Sequence, residues 1–498
     1  MDLLLNLFLG FSVILQPQNI LMCFLGCVMG TLVGVLPGLG PVAAISILLP
    51  STYHLSPVSA IIMLAGIYYG AMYGGSTTSI LVNIPGESAS VVTCLDGYQM
   101  ARQGRAGAAL GISAFGSFIA GTLATILIML AAPPLARVAL IFGPAEYFAL
   151  MILGLAMLIY LAMESMLKAL IMACLGIFLG AIGTDPIHGV ERFTYGSYTL
   201  LDGLGLVPVL MGLFGIAEVL LNVEKVVKAD VYQTTIGRLL PTLEDWKRSI
   251  KAIFRGTFIG FFIGILPGGT AVVSSFAAYI VEKKFSKHPE KFGTGMIEGV
   301  AAPESANNSA SQGSFIPLLT LGIPSNVVMA VLLGALLIQG VTPGPLLIKK
   351  YPELFWGVIG SMYLGNVMLL LLNLPLIGLW VKLLKVPYSI LFPMILFFCL
   401  VGVYTVNNNY IEIILMILFG VVGYLFKKFG FEPAPLVLAF VLSPMLENAF
   451  RQALIMSAGS FDIFFIRPIS LVLLLVTITL LLLPLIPGLR KIPKGKNQ

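Results

Sequence analysis

Long apolar stretches separated by short polar ones run along nearly the whole chain. A helix needs about 20 predominantly apolar residues to cross about 30 Å of hydrocarbon. This pattern predicts spans near Val58–Ile84, Gly107–Ala132, Tyr147–Ser165, Leu167–Ile182 and Leu204–Leu221. Further spans are predicted near Gly313–Ile338, Phe355–Pro375, Pro387–Thr405, Ile411–Phe426, Pro433–Phe450 and Pro468–Ile486. Leu3–Leu15 is apolar but too short to cross, which predicts an interfacial or half-crossing helix. It has no basic n-region and no Ala-x-Ala site, so it does not read as a cleaved signal.

Two apolar stretches, about 20–49 and about 256–280, carry the same interruption. The first runs Gly30-x-x-x-Gly34-x-x-Pro37-Gly38-x-Gly40 and the second Gly260-x-x-x-Gly264-x-x-Pro267-Gly268-Gly269, with the prolines 230 positions apart. Proline and glycine break a helix and free backbone N–H and C=O groups, which is tolerated in a membrane only where protein or a wet cavity satisfies them. Paired breaks in corresponding parts of two half-sequences point to a transporter binding site, so both stretches are expected to be re-entrant hairpins. The repeat continues: Asn83-Ile84-Pro85-Gly86 matches Gly322-Ile323-Pro324-Ser325, 239 positions on.

Loop charge supplies orientation. The loops on both sides of the second hairpin are basic, with Lys247, Arg248 and Lys251 before it and Lys283, Lys284 and Lys287 after it. A hairpin keeps both on the cytoplasmic side. Counting back through five spans puts the first hairpin on the outer side, and Thr184–Asp202 outside as well. Lys349 and Lys350 are the discordant pair. The expected architecture is an all-α polytopic membrane protein of about 11–12 transmembrane helices with two re-entrant hairpins in an inverted repeat. Its parts are a first half over 1–222, a cytoplasmic linker over 223–255, and a second half over 256–498.

Composition agrees with a membrane protein and narrows the chemistry. The 498 residues are 58% hydrophobic and only 10% charged, against about 25% charged in soluble domains. The net charge of +6 lies in loops and the tail, where it orients the chain and does not signal nucleic-acid binding. The five cysteines lack Cys-x-x-Cys spacing and read as packing, and His54, His188 and His288 lack metal-ligand spacing. There is no Walker loop, no His-Glu-x-x-His and no nucleophile elbow, so neither ATP hydrolysis by that route nor those hydrolase chemistries is expected. No enzyme activity and no cofactor are expected beyond a coupling Na⁺ or H⁺.

Candidate chemistry lies in polar runs beside the breaks. One is Ser76, Thr77, Thr78 and Ser79; the other spans Pro303–Gly313 and contains Glu304, Asn307 and Asn308. Hydroxyls and amides can hold Na⁺ or a carboxylate without a costly buried charge, and half-helix N-termini favour anions. Glu304 reads either as a cation ligand or proton carrier, or as a helix-start carboxylate near the cytoplasmic surface. The Ser/Thr runs read either as ligands or as small-residue packing. Tyr68, Tyr69 and Tyr73 read as lining or as interfacial anchors. The expected site gathers Gly38, Gly40, Ser76, Thr77, Thr78, Ser79, Asn83, Gly268, Gly269, Glu304, Asn307, Asn308, Ser325 and Asn326. An ion channel or a passive membrane scaffold is the alternative reading.

With the doubled phrase, the blocks Tyr68–Leu110 and Pro303–Ser325 resemble the large membrane subunit of the tripartite tricarboxylate transporter family, over roughly Asn19 to Pro444. The resemblance implies a prokaryotic secondary transporter of the inner membrane. It also implies partnership with a small membrane subunit and a periplasmic solute-binding protein, and carboxylate uptake driven by a cation gradient.

Overall fold

The computed structural model describes residues 2–36, 38–162, 165–185, 187–224, 238–384, 386 and 388–483. The chain is helical apart from one short antiparallel ribbon, β1 (Gly183–Thr184) with β2 (Glu191–Arg192), among the described residues. In chain order the helices are α1 (Asp2–Ile14), α2 (Pro17–Val35), α3 (Gly40–Leu48), α4 (Pro57–Val82), α5 (Val91–Arg102) and α6 (Ala106–Ala139). Then come α7 (Pro144–Tyr160), α8 (Met166–Gly180), and α9 (Leu206–Leu210), which runs through a π-helical turn into α10 (Ala217–Glu224). The second half holds α11 (Leu243–Ile265), α12 (Ala271–Phe285), α13 (Glu298–Gly313), α14 (Phe315–Leu321), α15 (Val327–Ile338) and α16 (Leu347–Lys350). It continues with α17 (Pro352–Asn373), α18 (Ile377–Leu383), α19 (Tyr388–Asn407), α20 (Tyr410–Lys428), α21 (Pro433–Met456), α22 (Ile463–Ile466) and α23 (Pro468–Leu482).

Eight of the described helices, with α9 and α10 counted as one, are long and apolar enough to cross a membrane, and six shorter ones are apolar. The span expected at Gly313–Ile338 is corrected: Gly322 adopts a left-handed φ of 72° and ends α14, and Asn326 caps a new helix by accepting from the Met329 N–H. The first arm of the second interrupted unit begins at Leu243, inside the stretch expected as a linker, because Thr242 and Asp245 form a capping box there. Lys225, Lys228 and the basic tail from Arg490 lie outside the described residues.

The residues group into two compact units: Met1–Ala139 with Gly205–Phe429, and Leu140–Leu204 with Gly430–Gln498. In the first, Gly26, Gly30 and Gly34 of α2 lie against the carbonyls of Met63, Ile67 and Ala71 on α4, so closely that a Cβ would stand 2.3–2.4 Å from each oxygen. Gly256, Gly260 and Gly264 of α11 meet the carbonyls of Ala302, Ala306 and Ala310 on α13 in the same way, at 2.2–2.3 Å. Each glycine of one set lies 230 positions from its counterpart, and each carbonyl 239, the two offsets of the sequence repeat. Lipid offers little hydrophobic drive between helices, so backbone contact through small residues is what holds such pairs.

These contacts also fix direction. α2 and α4 run parallel and start at one level, where Ser59 donates to the Asn19 side-chain oxygen at 2.6 Å. The chain therefore goes out along α2 and returns through α3 before α4 begins. The same holds for α11, α12 and α13, with Arg255 gripping Glu282 across the return at 2.6 and 2.8 Å. α4 runs antiparallel to α13: Tyr69 lies against Phe315, Tyr73 at the level of Gln312 through Asn366, and Ser76 against Glu304.

The second unit packs α8 on α21 through Gly176 and Gly180, and joins α7, α21 and α22 by the aromatic cluster Phe148, Phe450 and Phe464. Its charges pair internally: Arg451 with Asp185 by two bonds of 2.9 Å, Arg192 with Glu447 at 2.8 Å, and Arg467 with Glu146 at 3.0 Å.

Candidate functional site

The polar run Pro303–Gly313 lies within α13, and every residue from Gly299 to Gly313 is buried. Glu304 is fully inaccessible. Its carboxylate accepts hydroxyl bonds from Ser76 on α4, from Thr93 on α5, and from Ser113 on α6 at 3.2 Å. Its position inside the helix and among hydroxyls removes the reading as a helix-start surface carboxylate.

The polar surface continues along two facing stripes. On α13, Glu304, Asn308 and Gln312 recur every four residues; on α6, Ser113, Ser117, Gly121 and Thr125 do the same, which puts each set on one helix face. Asn308 donates to Ser117 Oγ at 2.7 Å, to the Glu304 carbonyl at 3.1 Å and to Asn307 Oδ1 at 2.6 Å. Thr125 donates to Gln312 Oε1 at 2.8 Å. Tyr73 reaches Asn366 Oδ1 at 2.5 Å, and Asn366 donates onward to the Phe118 carbonyl at 2.7 Å and Thr122 Oγ1 at 3.1 Å. The Asn307 Nδ2 is buried without a partner. No Lys or Arg is paired with Glu304 among the described residues. Hydroxyl, amide and carboxylate oxygens are hard donors that suit an alkali or alkaline-earth cation, and no group of three or more His, Cys, Asp or Glu that could hold a metal occurs among the described residues.

The tripartite tricarboxylate transporter TctA family matches residues 20–438, which take in both interrupted units and the whole Glu304 cluster. The chain belongs to this family. A 52.8 kDa protein in the TAR-I ttuC' 3' region of Agrobacterium vitis is 53% identical over 490 residues, 98% of each chain. A protein in the TAR-II ttuC' 3' region of the same organism is 53% identical over 231 residues, which span 46% of this chain and 96% of that one. No solved structure matches. The TctA family is one of transport proteins, and the chain is accordingly a multi-pass membrane transporter subunit.

Of the expected site residues, this TctA member brings Ser76, Glu304, Asn307 and Asn308 into one cluster. Thr77, the residue after Ser76 on α4, is buried. Thr78 serves the break, donating to the Val35 carbonyl at 2.7 Å, and Ser79 donates to Ser90 Oγ at 2.8 Å. Gly268 donates its N–H to the Ser325 carbonyl at 2.7 Å, which ties the second break to the Gly-Ile-Pro-Ser corner, where Asn326 is the helix cap. Gly269 packs against the Ile263 carbonyl. Besides Thr78, Gly268, Gly269, Ser325 and Asn326, three more expected residues lie apart from the cluster. Asn83 is exposed and takes a left-handed φ of 59° at the end of α4, Gly38 faces the Asn222 side chain, and Gly40 has open space around it.

Sequence reasoning missed Thr93, Ser113 and Ser117, although the four-residue recurrence of small polar residues from Ser113 to Thr125 was a usable signal. It also missed two buried carboxylates. Asp96 accepts from Tyr279 OH at 2.8 Å and from the N–H groups of Gly293, Gly295 and Met296 at 2.7–3.0 Å, so it clasps the loop leading into α13. Glu87, after Pro85-Gly86, accepts from the Ala89 N–H at 2.8 Å through one oxygen only; the other is buried without a partner.

Proposed function

We propose that this chain is a permease that imports an organic carboxylate by symport with a cation. In this reading it is fed by a periplasmic solute-binding protein and assembled with a small membrane subunit in a prokaryotic inner membrane. The observation that carries the reading is Glu304, a buried carboxylate held by hydroxyls from α4, α5 and α6 and backed by the amides Asn307 and Asn308. A buried charge in a membrane protein is expensive and marks an ion pathway by default. Amide and hydroxyl donors beside it suit the substrate's carboxylates, since among the described residues no basic side chain enters the cluster. The antiparallel course of α4 and α13 supports an inverted repeat with re-entrant hairpins, in which each half supplies part of the site. Substrate selectivity within carboxylates follows from the amide spacing and from the receptor.

The test is uptake into vesicles holding the full assembly under an imposed Na⁺ or H⁺ gradient. Accumulation of a carboxylate above its outside concentration is expected. Flux that only runs downhill, whatever the cation gradient, would make the chain a channel.

A further inference from the structure

The Glu87 carboxylate has one oxygen, Oε1, that is buried and accepts nothing, in a residue only 6% exposed. Hydroxyls gather beside the Glu87 backbone. Ser90 donates to the Glu87 carbonyl at 2.8 Å and accepts from Ser79 at 2.8 Å, and Thr93, one turn along α5 from Ser90, reaches Glu304. Glu87 and Ser90 press on Gly75, where a Cβ would stand 2.7 Å from Glu87 Cγ and 3.2 Å from Ser90 Oγ. The next residue, Ser76, donates to Glu304. Two buried carboxylates therefore flank Gly75-Ser76, joined by Ser79, Ser90 and Thr93, and no ion pair reaches either among the described residues.

We propose that Glu87 is a ligand of a Na⁺ ion bound between it and Glu304, with the Ser79 and Ser90 hydroxyls completing the oxygen shell. An unpaired buried carboxylate oxygen carries the full desolvation penalty of its charge. A cation shared with Glu304 offsets that penalty for both groups. The hydroxyl and carboxylate oxygens of Ser79, Ser90, Glu87 and Glu304 are hard donors of the kind an alkali cation takes. The proposal rests on the import reading above and adds the residue that takes the coupling ion.

The test is cation binding by the purified full-length chain in detergent, read as thermal stabilisation on titrating NaCl against choline chloride at constant ionic strength. Na⁺ should stabilise the wild type saturably. Glu87→Gln should raise the Na⁺ concentration for half effect at least about tenfold, the loss expected for one buried charged ligand. Gly75→Ala, which keeps every charge and crowds Glu87, should do the same, while Glu290→Gln at an exposed loop should change nothing. If Glu87→Gln does not fold, Ser90→Ala serves, with a smaller shift in the same direction. A half-effect concentration within twofold of wild type in Glu87→Gln and Gly75→Ala, or stabilisation by acid with none by Na⁺, would overturn the proposal. Uphill uptake that ignores Glu87 sinks this inference alone, and Na⁺ binding without carboxylate uptake sinks the import reading alone.

Discussion

Asn308 occupies the busiest position in the cluster. Its amide joins Ser117, Asn307 and the Glu304 carbonyl, so its removal leaves the Asn307 oxygen and a helix carbonyl buried with fewer donors. Losing such a group costs about 1–3 kcal/mol. Asn308→Ala should weaken substrate or cation dependence by roughly ten- to a hundredfold, measured as the half-saturating concentrations for uptake; unchanged values would reduce the amide pair to packing. Asp96 has a different task. Its carboxylate satisfies three backbone N–H groups and a tyrosine hydroxyl at the loop before α13. Asp96→Ala removes the acceptor of all three N–H groups and of the tyrosine hydroxyl, so it should destabilise the protein by roughly 3 kcal/mol. Thermal unfolding in detergent reads this as a lowered midpoint with Na⁺ affinity of the surviving protein little changed.

At the scale of elements, the two glycine stripes set how closely α2 meets α4 and α11 meets α13. Gly260→Val would put a Cβ 2.2 Å from the Ala306 carbonyl oxygen, a backbone atom that cannot turn aside. α11 and α13 would have to separate, which moves Glu304 from its hydroxyls. We expect little or no monodisperse protein from this variant, whereas Gly378→Val, with nothing within 4 Å, should purify normally. Equal yields would mean that the stripes tolerate bulk and that another contact sets the spacing. The Thr78 bond to the Val35 carbonyl and the Gly268 bond to Ser325 show the same economy: at each break a freed backbone group finds an internal partner.

For the whole molecule, two expectations concern loops. The Arg451 guanidinium, by hydrogen bonding, holds the Asp185 carboxyl below the usual carboxylate range, helped by the Ile187 N–H. A carboxyl that titrates lower folded than unfolded stabilises the fold above its unfolded pKa of about 3.9. That contribution fades as pH falls through the folded value. Asp185→Asn should thus lower the melting midpoint at neutral pH, and the gap from wild type should close as the medium is acidified toward and below pH 4. Sidedness is the second expectation. A lone cysteine introduced by Lys247→Cys should escape an impermeant reagent applied from outside intact cells, and Tyr195→Cys, at a residue 91% exposed, should be tagged. The reverse result would overturn the orientation drawn from loop charge.

The sequence alone determined the membrane class, the positions of most helices and the family, because span length and apolar composition are local properties and long motif blocks are specific. It also carried the repeat: the offsets of 230 and 239 reappear in the contacts that Gly26, Gly30, Gly34, Gly256, Gly260 and Gly264 make. The helix end at Gly322 was not legible, since the left-handed φ that stops α14 there belongs to the structure. The cluster was half legible. Ser76, Glu304, Asn307 and Asn308 stand out as polar residues in apolar surroundings, but nothing local says which of them meet. Thr93, Ser113, Ser117, Asp96 and Glu87 join through partners between 183 and 211 positions away or through close approach to Gly75. Only tertiary structure decides such contacts, since the parallel packing of α6 on α13 and the antiparallel packing of α4 on it select the partners. The same packing left Asn83, Gly38 and Gly40 outside the cluster: Asn83 ends α4 in the left-handed region, Gly38 lies in the turn before α3 and Gly40 opens that helix, a placement that composition does not record.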